Sequence, residues 1–269
     1  MLNGSTGEGT LLSIEERRNV AEAWANAVKK TNQHLMIQVG GTSLNCVKAL
    51  AAHAESLGAD SILCLPELYF KPSNADELID YLKLVGEAAP KTPLLYYDFP
   101  RATGVNVDLR KMFNSIGDKV PTFVGVKTDI ERGIQARQAK KDFRIFLAGD
   151  MMMIAGCVAA FDSFVMTCLN FIPEAASELL EFEKGRSNLT KARESQDFIN
   201  TVVSNVTAYG AWIETMKIAM SLISGIVVGP PRHPLKLLSR KDIEAMTDGF
   251  HQIGLRINAD FVNQLYKKS

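Results

Sequence analysis

The chain has 269 residues, long for one β-sandwich and short for two full domains, so a single α/β domain of barrel size is the first expectation. Lysine plus arginine balance aspartate plus glutamate at 30 each, which leaves no net field to hold a nucleic acid or an anionic membrane and favours a small-molecule ligand. Cys46, Cys64, Cys157 and Cys168 form no CxxC pair and the four histidines no HxH or HxxxH spacing, so neither a structural zinc nor another metal is expected.

The N-terminus, MLNGSTGEGT, has no basic residues ahead of an apolar run and does not read as a secretory signal. The richest apolar window, residues 218–228, is interrupted by Ser221, Ser224 and Gly225 and is too short to span a bilayer. Together with the unpaired cysteines, this points to a reducing, cytoplasmic setting.

From residue 34 onward, short apolar runs alternate with longer amphipathic ones. HLMIQVG (34–40), DSILCLP (60–66), PLLYYDF (93–99), TFVGVKT (122–128), FRIFLAG (143–149) and SFVMTCL (163–169) read as buried strands. Between them, SLNCVKALAAHAESLG (43–58), NADELIDYLKLVGEAA (74–89) and NVDLRKMFNSIG (106–117) have helical spacing, and several start at a residue suited to capping. Strands apolar on both faces, separated by helices, imply a parallel sheet covered on both sides. Units of roughly 30 residues without a GxGxxG fingerprint favour a (β/α)8 TIM barrel over an open nucleotide-binding sheet. Residues 173–269 show no strand pattern. They read as helices broken at Gly185, Gly225, the 229–234 GPPRHP segment and Gly254, giving a division into a barrel (1–172) and a last barrel helix with a helical extension (173–269).

In such a barrel, chemistry sits at the C-terminal ends of the strands. Lys127 closes the apolar run TFVGVK. Burying its stem strips water from the ammonium, lowers its pKa and frees a lone pair for attack on a carbonyl; the competing reading is a lysine snorkelling out of a strand end. One βα unit earlier stand Tyr96 and Tyr97, of which only one can point inward, since neighbours in a strand alternate faces. Either phenol there can move protons for an imine-forming lysine.

The order GSTGE (4–8), YYDFPRATGV (96–105), GVK (125–127) and Gly149-Asp150 resembles the N-acetylneuraminate lyase and dihydrodipicolinate synthase family of class I aldolases. SGIVVGPPRHPL (224–235) resembles the corresponding segment of the animal lyase branch. The resemblance implies a Schiff base between Lys127 and the C2 ketone of a sugar acid, with Tyr97 moving protons and Ser5 and Thr6 binding the 2-keto acid carboxylate. It further implies cleavage of sialic acid to N-acetylmannosamine and pyruvate without a cofactor, in a homotetramer. Synthases place an arginine five residues after the tyrosine; Ala102 stands there, which favours lyase over synthase.

Gly149 and Asp150 match the pair that contacts the sugar tail, whereas Asp129, Met151, Met166 and Thr167 depart from the residues usual at substrate-lining positions. The resemblance therefore leaves two further readings: an aldolase for a different 2-keto-3-deoxy sugar acid, or a non-catalytic, truncated paralogue that binds a ligand or partner. Family members carry about forty residues ahead of GSTGE, so the barrel is expected to lack its first two strands. Two bare sheet edges would follow, with poor folding and little activity in the chain as written.

Overall fold

The computed structural model describes residues 1–140, 143–161, 163–258 and 261. Two compact units emerge, Met1–Ala148 with Ser163–Val165, and Gly149–Asp162 with Met166–Ser269.

The first unit opens with a turn and α1 (Ile14–Val28), whose start is fixed by a capping box between Ser13 and Glu16. The expected alternation follows as β1 (Met36–Gln38), α2 (Leu44–Ser56), β2 (Ser61–Cys64), α3 (Ala75–Ala88) and β3 (Leu94–Tyr97). After β3 come the short α4 (Pro100–Thr103), α5 (Leu109–Ile116), β4 (Phe123–Thr128), α6 (Ile130–Arg137) and β5 (Arg144–Ala148). A two-residue β6 (Phe164–Val165) closes the sheet. Asn74, Asp108 and Asp129 cap α3, α5 and α6 by accepting the backbone N–H three residues on, satisfying donors that a helix start leaves unpaired.

All six strands are parallel and neighbour one another in chain order, forming a half-barrel, the architecture that the βα alternation implies. Val47, Leu50, Leu78, Ile79, Leu82, Met112 and Phe113 bury the inward stripes of the helices, while Met36, Leu63, Leu65, Leu95 and Tyr97 cluster together with Phe99, Val124 and Phe146 packed on them. At roughly 1.5–3 kcal/mol for each buried large apolar side chain, these two layers supply the main cohesion of the unit.

Two details differ from the sequence pattern. The outer edge of β1 is not wholly bare: Leu2 donates to Met36 O at 2.9 Å and accepts from Gln38 N at 3.1 Å, as a parallel bridge to Ile37. The 163–169 run keeps only two residues in the sheet, because the Thr167 and Cys168 amides turn away to the Asp150 carboxylate at 2.7 and 3.1 Å. A carboxylate that accepts charge-assisted bonds outcompetes a ladder rung at a strand end.

In the second unit, a short helix α7 (Met153–Val158) is followed by α8 (Pro173–Glu183), α9 (Leu189–Thr207), α10 (Trp212–Ser224) and α11 (Arg240–Gln252). No described residue after 172 lies in a strand. α9 packs against α8, α10 and α11 and buries Ala192, Ile199, Val202, Val203 and Val206. Gln196, also buried on α9, accepts from Ile154 N and donates to Asp150 O, both at 2.9 Å, and so pins the start of α7.

Candidate active site

The site is set by strand register. β3 and β4 pair Leu94 with Phe123 but Leu95 with Gly125, a shift that leaves Val124 unmatched and brings Tyr97 opposite Lys127. A bulge of this kind bends a strand and re-aims the side chains beyond it. Gly125 is required at this step, since a Cβ there would lie 2.0 Å from the carbonyl oxygen of Arg144 on β5.

Lys127 is 5% exposed, and its Nζ lies 3.8 Å from the centroid of the Tyr97 ring. The quadrupole of the ring face attracts an ammonium, which holds the amine at the tyrosine. Tyr97 is itself stacked on Phe99, with ring centroids 6.0 Å apart and planes 7° from parallel. The Tyr97 hydroxyl shares a hydrogen bond with Ser5 Oγ at 3.2 Å. Tyr96 points to the opposite side, fully buried, where loss of solvation drives its phenol well above the ordinary range. The choice between the two tyrosines, open in the sequence, is thus made by the strand's pleat.

Ser5 and Thr6 sit half-buried in a turn closed by Glu8 N to Ser5 O at 3.0 Å and Gly9 N to Gly4 O at 3.1 Å. The chain folds back so tightly that a Cβ on Gly9 would fall 1.8 Å from Asn3 O. Beneath the turn lies a polar anchor that sequence reasoning missed. Asn3 Nδ2 donates to Arg17 O, Gln38 Nε2 donates to Asn3 O, and the Arg17 guanidinium donates to Gly40 O at 3.1 Å and Gln38 O at 2.8 Å. Arg17 is 2% exposed, and burial pushes its pKa down to about 10. Carbonyl acceptors rather than a carboxylate hold this cation, and they fix the backbone that carries Ser5.

Also absent from the sequence reading is the pair Asp98–Arg132, directly behind the ends of β3 and β4. Asp98 is 3% exposed and accepts from Thr128 Oγ1 at 2.7 Å, from Arg132 Nη2 at 3.0 Å and from Arg132 Nε. Burial holds the Asp98 carboxyl above its ordinary value despite the opposing pull of Arg132 and Thr128, and the Arg132 pKa is raised by the bonds to Asp98. An acid next to Tyr97 and a base on the helix following Lys127 were the available signals. Asp129 uses one carboxylate oxygen to cap α6, accepting from Arg132 N at 3.0 Å.

The residues that match the sugar-tail contacts lie in the second unit. Asp150, 6% exposed, accepts from Thr167 N, Cys168 N and Thr167 Oγ1 at 2.7, 3.1 and 2.5 Å. Gly149 precedes it at φ +124°, Met166 is buried, and Met151 and Met152 are about half exposed. Burial, followed by the nearby Asp150 charge, raises the Cys168 thiol above its ordinary pKa. Among the described residues no group of three histidine, cysteine or acidic side chains can hold a metal ion, and no helix is long and apolar enough to cross a membrane.

A parallel β/α half-barrel with a buried lysine and a tyrosine at adjacent strand ends is a frame for carbonyl chemistry by an amine. The model of the dihydrodipicolinate synthetase family matches residues 1–252. The N-acetylneuraminate lyase of Sus scrofa is 35% identical over 246 residues, 89% of this chain and 76% of the pig protein. The solved structure of Proteus mirabilis N-acetylneuraminate lyase superposes with a TM-score of 0.85 at 28% identity, covering 94% of this chain and 86% of the bacterial one. A variant of Sulfolobus solfataricus 2-keto-3-deoxygluconate aldolase shares the fold, with a TM-score of 0.81 at 22% identity over 94% and 83% of the two chains. The chain belongs to the dihydrodipicolinate synthetase family, a family of class I aldolases.

Proposed function

We propose that this protein is an N-acetylneuraminate lyase-type aldolase that cleaves a sialic acid to pyruvate and an N-acetylated aldose through a Schiff base on Lys127. The observation that carries the reading is the placement of the Lys127 amine 3.8 Å over the Tyr97 ring, with the Tyr97 hydroxyl 3.2 Å from Ser5. The similarity to the pig enzyme supports the choice of substrate.

In this reading the neutral Lys127 amine adds to the C2 ketone and water leaves, giving an iminium. Tyr97 carries the proton removed from the C4 hydroxyl as the C3–C4 bond breaks and its electron pair moves into the iminium. The aldehyde departs, Tyr97 passes its proton to C3 of the resulting enamine, and water releases pyruvate and regenerates the amine. Ser5 and Thr6 bind the carboxylate, their turn being held rigid from below by Asn3, Gln38 and Arg17. No cofactor enters this sequence, and a homotetramer is its proposed assembly.

A second reading, cleavage of another 2-keto-3-deoxy sugar acid with a less polar tail, draws on the second unit. The Asp150 carboxylate there is engaged by three internal donors and exposed thioethers follow it. Pyruvate plus borohydride, followed by peptide mass spectrometry, tests both readings at their shared step. An adduct on Lys127 is expected, and its absence in folded protein eliminates both in favour of a non-catalytic binder. Pyruvate release from N-acetylneuraminate against 2-keto-3-deoxygluconate then separates them.

A further inference from the structure

Tyr97 and Lys127 are the last matched pair of β3 and β4, so few ladder bonds between these two strands lie beyond them to control their spacing. One rung follows, Asp98 N to Lys127 O at 2.9 Å. On the side of the sheet away from the reactive pair, the Asp98 carboxylate takes the Thr128 hydroxyl from β4 and two donors of Arg132 from the first turn of α6. The same guanidinium reaches Asn106 Oδ1 at 2.6 Å and Val107 O at 2.8 Å, in the segment between α4 and α5. One arginine thus joins the residue after Tyr97, the helix that starts just beyond Lys127, and the loop that returns from β3.

We propose that the Asp98–Arg132 pair sets the position of Tyr97 against Lys127, with Arg132 a positioning residue for proton transfer in the reaction. This rests on the roles proposed above for Lys127 and Tyr97. The fork geometry suits such a role, because two parallel bonds fix the orientation as well as the distance of a carboxylate, which a lysine's point charge does not. The carboxylate's other contact, Thr128, neighbours Lys127 itself, so slack in the fork transfers to both strand ends. Displacements of about 1 Å at a reacting pair cost on the order of 100-fold in rate, so modest slack is visible in kinetics.

Pyruvate alone suffices as the probe. Borohydride trapping reports the imine at Lys127, and exchange of pyruvate C3 hydrogens in deuterated water, followed by NMR, reports proton transfer. Arg132→Met is expected to retain a trappable imine while slowing exchange at saturating pyruvate by roughly 10- to 100-fold, with KM within about threefold. Arg132→Lys is expected to recover only part of that loss. Asp98→Asn keeps the shape of the acceptor and serves if Arg132→Met does not fold; it is expected to slow exchange as well. Glu55→Ala provides a structural comparison, since Glu55 accepts from Lys91 N and Thr92 Oγ1 ahead of β3, and it should keep the parental exchange rate. Parental exchange in Arg132→Met or, if that variant does not fold, in both Arg132→Lys and Asp98→Asn, overturns the proposal, as does an equal loss in Glu55→Ala. A parent protein with no adduct at Lys127 instead overturns the aldolase reading on which it rests.

Discussion

Replacing Tyr97 with phenylalanine separates the tyrosine's packing from its chemistry. The ring keeps its stack on Phe99 and its place under the Lys127 amine, so only the hydroxyl and its 3.2 Å bond to Ser5 are removed. Ser5 is half-buried and can turn to water, which limits the stability loss to about 1 kcal/mol. Loss of a positioned proton carrier costs roughly 10²- to 10⁴-fold in rate, equivalent to about 3–5 kcal/mol on the barrier. The kinetic effect exceeds the structural one severalfold, so the two cannot be confused. The variant should unfold cooperatively within a few degrees of the parent and still yield the borohydride-trapped pyruvyl adduct. Coupled measurement of pyruvate release from N-acetylneuraminate should show the fall in kcat. A kcat within about threefold of the parent would refute Tyr97 as the proton carrier.

Lys127→Arg keeps the charge but offers no free lone pair, so trapping with pyruvate should vanish; an adduct elsewhere with cleavage intact would remove Lys127 from the mechanism. Met151→Glu should raise kcat/KM for N-acetylneuraminate by roughly tenfold if missing tail contacts limit the reaction, a gain corresponding to one hydrogen bond of about 1–3 kcal/mol; no gain favours the less polar substrate. Gly125→Ala, whose Cβ would meet the Arg144 carbonyl at 2.0 Å, should cost about 1–3 kcal/mol in denaturant unfolding, and an unchanged midpoint contradicts the close approach of β4 and β5. Burial pushes the Cys64 thiol up to about 12, so above the ordinary thiol pKa of about 8.5 the unfolded chain releases a proton that the folded chain retains. Stability should therefore fall as pH rises through that window, by up to about 1.4 kcal/mol per unit from this thiol, and Cys64→Ala should flatten the slope in denaturation curves taken between about pH 8 and 11.

The βα alternation was legible because parallel strands buried on both faces read as unbroken apolar runs, and Asn74 marked a helix start by its own side-chain chemistry, whereas the segment read from Asn106 turns helical only after the Asp108 cap. Lys127 stood out for the same local reason, a charge closing an apolar strand. What the linear order does not contain is the offset between strands. The unmatched Val124 puts Tyr97 rather than Asp98 across from Lys127, and that shift depends on how β4 meets both β3 and β5. Arg17 and Arg132 look like ordinary helix-surface residues in sequence, because their acceptors lie 21 to 34 positions away and come together only on folding. Local patterning determined the elements and the nucleophile candidate. The spacing of the reactive pair and the polar anchors behind it were decided by tertiary structure, since hydrogen-bond geometry between distant segments leaves no period in the chain.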